Sequence, residues 1–242
     1  MVSSYSLNSA NCQISEKYGP VFTVHLGFQR VVVVTGYEAV KDALLNTADV
    51  FVDRPAIPIF YHIQHGNEKV HAEIEQVLGP DRLPAFEDRK KMPFTNAVIH
   101  EVQRFVTLLP HVPRCTSADI HFKGYFIPKG TMVIPLLTSV LLDKTQWETP
   151  DEFNPNHFLD ADGNFVKKKA FLPFSTGRRN CIGESLATME LFIFFTGLIQ
   201  KFTFKPPPGV KESELDTTAE AGFTMRPHPQ CVCAVLRQQA LN

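Results

Sequence analysis

Phe174-Ser-Thr-Gly177-Arg178-Arg179-Asn-Cys181-Ile-Gly183 leads directly into Glu184 to Leu198, the most apolar helical pattern of the chain. The segment sets one cysteine between two glycines, beside two arginines and just ahead of a helix N-terminus. Positive neighbours, the helix dipole and backbone N–H donors all favour thiolate over thiol. Gly177 and Gly183 permit close backbone approach to something flat or bulky. A thiolate in such a loop acts as a nucleophile or as a metal ligand. A nucleophile calls for a histidine base with a third orienting group, and no spacing here supports one. A single soft thiolate without partner cysteines points to haem rather than zinc. Taken alone, a cysteine next to a helix is more often a small buried residue, so the reading depends on the surrounding positions.

Outward from this loop the pattern is mixed. Val21 to Gly27 and Arg30 to Thr35 are β-rich and separated by Phe28-Gln29, which reads as a hairpin. Tyr37 to Leu45 follows with helical spacing. Glu68 to Leu78 carries one apolar stripe of Val70, Ile74, Val77 and Leu78, and Gly79-Pro80 stops it. Pro93 opens another helix, with Phe94, Val98, Val102 and Phe105 expected on its inner side. Ile120 to Ile127 and Thr131 to Leu137 read as strands broken at Pro128-Lys129-Gly130. Thr149 to Lys169 is a Pro/Asn/Asp-rich meander, and such a loop inside a domain is usually functional or disordered. Cys231 to Leu236 reads as a closing strand. The expected class is mainly α with small β-sheets (α+β). Residues 1–67 are expected to form an N-terminal hairpin and helix segment and residues 68–242 a C-terminal haem-binding portion, as one domain overall.

Composition excludes several classes. The 242 residues are 44% hydrophobic and 20% charged, which is globular, and long enough to bury a core without covalent staples. Lys+Arg 24 against Asp+Glu 25 leaves a net charge of -1, so no broad basic field calls for nucleic acid. Five cysteines, Cys12, Cys115, Cys181, Cys231 and Cys233, form neither a disulfide ladder nor a C-x-x-C. Met1 to Ile14 holds no apolar run suited to a signal or anchor, and Leu191 to Ile199 is too short to span a bilayer.

The loop resembles the haem-binding signature F-x-x-G-x-R-x-C-x-G of the cytochrome P450 family, and Phe174, Gly177, Arg179, Cys181 and Gly183 fill every fixed position. Glu101-Val-Gln-Arg104 is similar to the family's E-x-x-R helix motif. Phe153-Asn-Pro155-Asn-His157-Phe158 is similar to the meander motif that follows it. Lys17-Tyr-Gly-Pro-Val-Phe-Thr-Val24, Asp53-Arg-Pro and Gly124-Tyr-Phe-Ile-Pro-Lys-Gly resemble the vertebrate microsomal second family. The resemblance implies a P450 fold and a haem b cofactor. It implies insertion of one oxygen atom from dioxygen into an apolar small molecule, with electrons from an NADPH-dependent P450 reductase. By position, Cys181 would be the proximal thiolate ligand and metal-binding residue, Arg179 a propionate partner and Phe174 a shield for the sulfur. Arg114 would be the second propionate contact, with His111 as the competing candidate. Glu101, Arg104 and His157 would be structural support, His157 standing where the family usually has arginine; histidine there makes the partner's charge pH-dependent. Lys167-Lys-Lys169 and Arg178 would dock an acidic reductase or form a solvated charge cluster. The segment Val106 to Arg114 and the surroundings of Phe223 would be pocket wall.

The family's W-x-x-x-R and its distal A/G-G-x-D/E-T motif have no counterpart here. Trp147 is the only tryptophan, and the chain passes from Gln64-His-Gly-Asn67 straight into Glu68. The expectation is therefore an internal omission that leaves the proximal half of the haem site. The alternative function is a non-catalytic haem- or reductase-binding fragment. The family resides on the endoplasmic reticulum membrane; a chain without an anchor would be cytosolic.

Overall fold

The computed structural model describes residues 14–26, 29–43, 67–210, 219–220, 224–227 and 232–237. Cys12, Phe28, Phe223 and Cys231 lie outside these residues, as does the stretch expected to be irregular over 51–67 except for Asn67, which begins a helix.

The hairpin forms as expected. β1 (Val21–Leu26) and β2 (Gln29–Val34) pair antiparallel, with Val21 opposite Val34. β2 is also paired on its other edge, in parallel, with β6 (Met132–Pro135), which in turn pairs antiparallel with β3 (Arg114–Cys115). The sheet order is therefore β1-β2-β6-β3. A strand covered on both edges and both faces reads as an apolar run, and Val31, Val32, Val33 and Val34 of β2 are all buried. The ladder brings Arg114 to the sheet edge.

The stretch expected as one strand over Ile120–Ile127 is instead a hairpin, β4 (Ile120–Phe122) and β5 (Tyr125–Ile127). Lys123 and Gly124 both adopt positive φ, at 50° and 85°, the conformation a two-residue hairpin turn requires. Past β6 the chain turns into a short helix instead of continuing extended to Leu137. Short helices α1 (Tyr37–Lys41) and α4 (Leu137–Leu141) flank the sheet. The N-terminus of α1 is capped from the α4 segment: Gly36 N–H donates to Ser139 Oγ (2.9 Å) and Tyr37 N–H to Asp143 Oδ2 (3.1 Å).

A second apolar cluster forms where α2 (Asn67–Leu78), α3 (Pro93–Val106) and α5 (Glu184–Lys201) pack together through Val70, Ile74, Val98, Phe192 and Ile199. Gly79 takes φ 66° and its N–H closes α2 on Glu75 O at 3.0 Å. Glu73 of α2 caps α3, accepting from Phe94 N–H (2.9 Å), Thr95 N–H (2.7 Å) and Thr95 Oγ1 (2.7 Å). The chain then closes with β10 (Cys233–Leu236) antiparallel to β7 (Phe202–Lys205), and β8 (Ala219–Glu220) pairs with β9 (Arg226–Pro227).

The inner face of α3 differs from the expected stripe. Val98 is buried, but Phe105 is 41% exposed, and the polar residues His100, Glu101 and Arg104 are buried instead. The helix is covered on two sides, by the α2/α5 cluster and by the meander, and its buried polar groups satisfy one another. Among the described residues no helix is long and apolar enough to cross a membrane.

His100 illustrates the cost of that double burial. It sits among Phe158, Phe165 and Phe171, with ring centroids 5.5, 4.5 and 4.9 Å away, and its Nδ1 bonds to Asn96 O at 2.8 Å. Burial outweighs that hydrogen bond and lowers its pKa from 6.5 to about 4. A depressed histidine binds its proton in the unfolded chain before it does so in the native one. Stability therefore falls as pH drops below 6.5 and levels off below about 4, by on the order of 3 kcal/mol for this group. Urea unfolding at stepped pH between about 7 and 5.5, above most of the carboxylate titration, should show the onset of this decline. It should be visibly flatter in His100→Phe.

Candidate haem-binding site

The support for the site is a buried polar network. Glu101 and Arg104, three residues apart on α3, are both 0% exposed. Arg104 Nε donates to Glu101 Oε2 at 2.7 Å and Nη2 to Oε1 at 2.6 Å, the two-pronged geometry that suits guanidinium and carboxylate. The remaining Arg104 donors reach the backbone: Leu141 O at 3.0 Å, Pro150 O at 2.8 Å and Glu152 O at 2.9 Å. Glu101 Oε1 also accepts Asn154 N–H at 2.8 Å. The pair thus fastens α3 to the α4 segment and to the meander.

His157 completes the network, from a 3-10 turn at Pro155–Phe158. Its Nε2 accepts the backbone N–H of Thr149 at 3.2 Å, which fixes the ring proton on Nδ1. Nδ1 then donates to Glu101 Oε2 at 3.2 Å. Thr149 Oγ1 donates to the same Nε2 at 3.1 Å and itself accepts from Asn154 Nδ2 at 3.1 Å. Trp147 packs edge-on to His157 and lies under the Arg104 guanidinium at 5.3 Å, with its indole N–H on Val140 O (2.9 Å). Burial alone would raise the Glu101 pKa. The bonds from Arg104, His157 and the Asn154 backbone outweigh it and hold the carboxyl below its ordinary range.

The cysteine loop is closed by Cys181 N–H donating to Phe174 O at 3.0 Å, with Asn180 N–H on Gly177 O (3.1 Å) and Glu184 N–H on Cys181 O (3.3 Å). Gly177 takes φ 83°, which a side chain would strain. Gly183 does not need its lack of a side chain for conformation, since its φ is −89°. A Cβ there would stand 3.9 Å from Cys181 Sγ, an ordinary contact. The missing Cβ therefore leaves space beside the sulfur that the chain itself does not demand. Cys181 and Phe174 are half-buried, and Arg178 and Arg179 are exposed. Arg114, 2% exposed on β3, donates from Nη2 to Arg179 O at 3.2 Å, so two guanidinium-bearing residues from distant parts of the chain meet at the loop.

His111, the rival to Arg114, bridges Leu136 at the sheet edge, and burial lowers its pKa. A lowered histidine is a poorer carboxylate partner than a guanidinium. The expected wall segments also meet: Met225 N–H donates to Leu108 O at 2.8 Å. Among the described residues, no three or more His, Cys, Asp and Glu side chains gather as a metal site. The resemblance implies that the Glu101/Arg104 pair locks onto the meander, but which backbone groups Arg104 reaches is visible only in the structure. Carbonyl acceptors leave no mark on side-chain identity.

A family description of cytochrome P450 matches residues 3–68 and 64–234. Cytochrome P450 2W1 of Homo sapiens is 62% identical over 169 residues, which is 70% of this chain and 34% of the relative. Cytochrome P450 2K6 of Danio rerio is 61% identical over 170 residues, again 70% and 34%. Cytochrome P450 2D26 of Rattus norvegicus is 54% identical over 170 residues, with the same shares. The chain belongs to the cytochrome P450 family, and its match spans about a third of the length of these relatives. The two matched stretches overlap at residues 64–68.

Arg104→Ala should leave Glu101 buried without its counter-ion and three backbone carbonyls without donors. The expected loss is about 3–5 kcal/mol in urea unfolding. Arg104→Lys should recover little of it, because one ammonium cannot reproduce the planar fork.

Proposed function

We propose that this chain carries the proximal half of a haem-thiolate monooxygenase site, with Cys181 as the ligand to iron. The carrying observation is the union of three features at one loop: a half-buried sulfur, an unfilled space beside it at Gly183, and the approach of Arg114 to Arg179. Haem b, bound there, would supply activation of dioxygen for transfer of one oxygen atom to an apolar small molecule.

The residues of the chain do the rest. Cys181 offers a thiolate from a loop held by its own backbone bonds. Arg114 and Arg179 neutralise the carboxylates of the bound group. Phe174 shields the sulfur from water and so tunes its surroundings. Glu101, Arg104 and His157 hold the meander against which the loop is set. Lys167, Lys169 and Arg178 are exposed on the same loop region and suit an acidic, NADPH-dependent P450 reductase. Residues 1–67 and 68–242 act as one domain in this reading, as the β2–β6 ladder between them favours. Location at the endoplasmic reticulum membrane follows from family membership alone.

One observation favours a second reading, a haem- or reductase-binding chain without turnover. On α5, Leu186 (54%), Phe194 (55%) and Leu198 (48%) form an exposed row at multiples of four residues, and Ile182 (101%) is exposed just ahead of the helix. Such a row lacks the cover expected of a completed pocket.

The reduced, carbon-monoxide-bound absorption spectrum after haem addition tests the site. A strongly red-shifted Soret band, lost in Cys181→Ala, is the expected result. A band of neutral-thiol or histidine ligation, or no haem uptake, would defeat the assignment. NADPH-driven, substrate-dependent turnover with added reductase then separates the monooxygenase from the binding chain.

A further inference from the structure

Beside the cysteine loop, on the side of the lysine run, lies a cavity of about 360 Å³. Lys167, Lys168, Lys169, Ser175, Asn180 and Glu184 are among the residues that line it. Ser175 is 7% exposed, and its buried Oγ has no hydrogen-bond partner. A buried hydroxyl left without a partner costs free energy unless something else supplies one. The cavity that Ser175 lines is where such a partner can enter. Glu184, the first residue of the 18-residue helix α5, places that helix N-terminus at the rim.

The charges define the chemistry of the occupant. Lys167 pairs with Glu184 at 3.6 Å and also lies 5.8 Å from the Phe171 ring, while Lys168 lies over Trp147 at 5.3 Å. Three ammonium groups against one carboxylate leave an excess of two positive charges, which a phosphate dianion matches. Asn180 and Ser175 add neutral donors, and a neutral acyl or sugar ligand would not call for the lysines. The concavity favours a small molecule over a flat protein surface.

We propose that this cavity is a binding site for a phosphate group, free or carried on a small organic molecule such as a nucleoside monophosphate. Ser175 and Asn180 belong to the cysteine loop itself, but none of the charged groups of the cavity is assigned to holding haem. An occupant here would cover the lysines that an acidic partner would otherwise meet, and so compete with docking.

The test is calorimetric titration of the full chain, without haem, with inorganic phosphate and separately with adenosine monophosphate. Saturable binding at one site is expected, weakened about tenfold by Lys169→Ala and by Ser175→Ala. Glu184→Gln removes the opposing carboxylate and should tighten binding, a direction that a general loss of folding cannot produce. Thermal melts of the three variants check that each is folded. Tighter binding of the nucleotide than of free phosphate assigns a carried phosphate, and equal binding assigns the free ion. Non-saturable binding, or binding indifferent to all three substitutions, overturns the proposal. So does saturation of these lysines by an acidic partner protein when phosphate fails to bind, which would make the patch a docking surface.

Discussion

A carboxylate and a guanidinium with no access to water, Glu101 and Arg104, organise the described part of this molecule. Two charges in a protein interior are tolerated only when geometry and further hydrogen bonds replace the lost solvent. Here every Arg104 nitrogen donates and Glu101 accepts from three residues. The arrangement works in one conformation of the meander only, because the partners are fixed backbone carbonyls at Leu141, Pro150 and Glu152. The pair thus converts a Pro/Asn/Asp-rich stretch with almost no regular structure into a defined surface. Its contribution is to specificity of fold more than to net stability.

His157 shows how a substitution in such a network is absorbed. The family more often has arginine at this position, and histidine brings fewer donors. The ring makes up the difference by accepting from Thr149 on one nitrogen and donating to Glu101 on the other. The sequence alone suggested a partner whose charge follows pH. The structure shows the ring bonded on both nitrogens, to Thr149 and to Glu101.

What the sequence disclosed and what it concealed divide along physical lines. Chemistry that depends on residue identity was legible: the cysteine loop, the Glu101/Arg104 spacing and the hairpin at β1–β2 all follow from side-chain type and period. Apolar periodicity located α2 and α5 to within a few residues. It placed α3 as well, opening at Pro93, but not the face that helix buries, because a helix buried on two sides has no single stripe, and polar residues that satisfy each other look like a solvated face. It also missed the break in Ile120–Ile127, since Lys123 is not a residue that announces positive φ and Gly124 alone was read as part of a strand. The parallel β2–β6 pairing and the meeting of Arg114 with Arg179 join positions far apart in sequence. No local pattern encodes either.

Among the described residues, the hydrogen bonds around Glu101, Arg104, Arg114 and the cysteine loop join partners within residues 101–184, while the β2–β6 ladder that carries the β3 edge reaches back to residues 31–34. The cysteine loop closes on itself through Phe174, the meander closes on α3 through Glu101 and Arg104, and Arg114 ties the sheet edge to the loop. The exposed row on α5 is different in kind. Leu186, Phe194 and Leu198, with Ile182 just ahead of the helix, could each gain roughly 1.5–3 kcal/mol on full burial, less what they already bury. No hydrogen bond depends on that cover. Cover for that row and the polar network around Glu101 and Arg104 are therefore separate demands on the described residues.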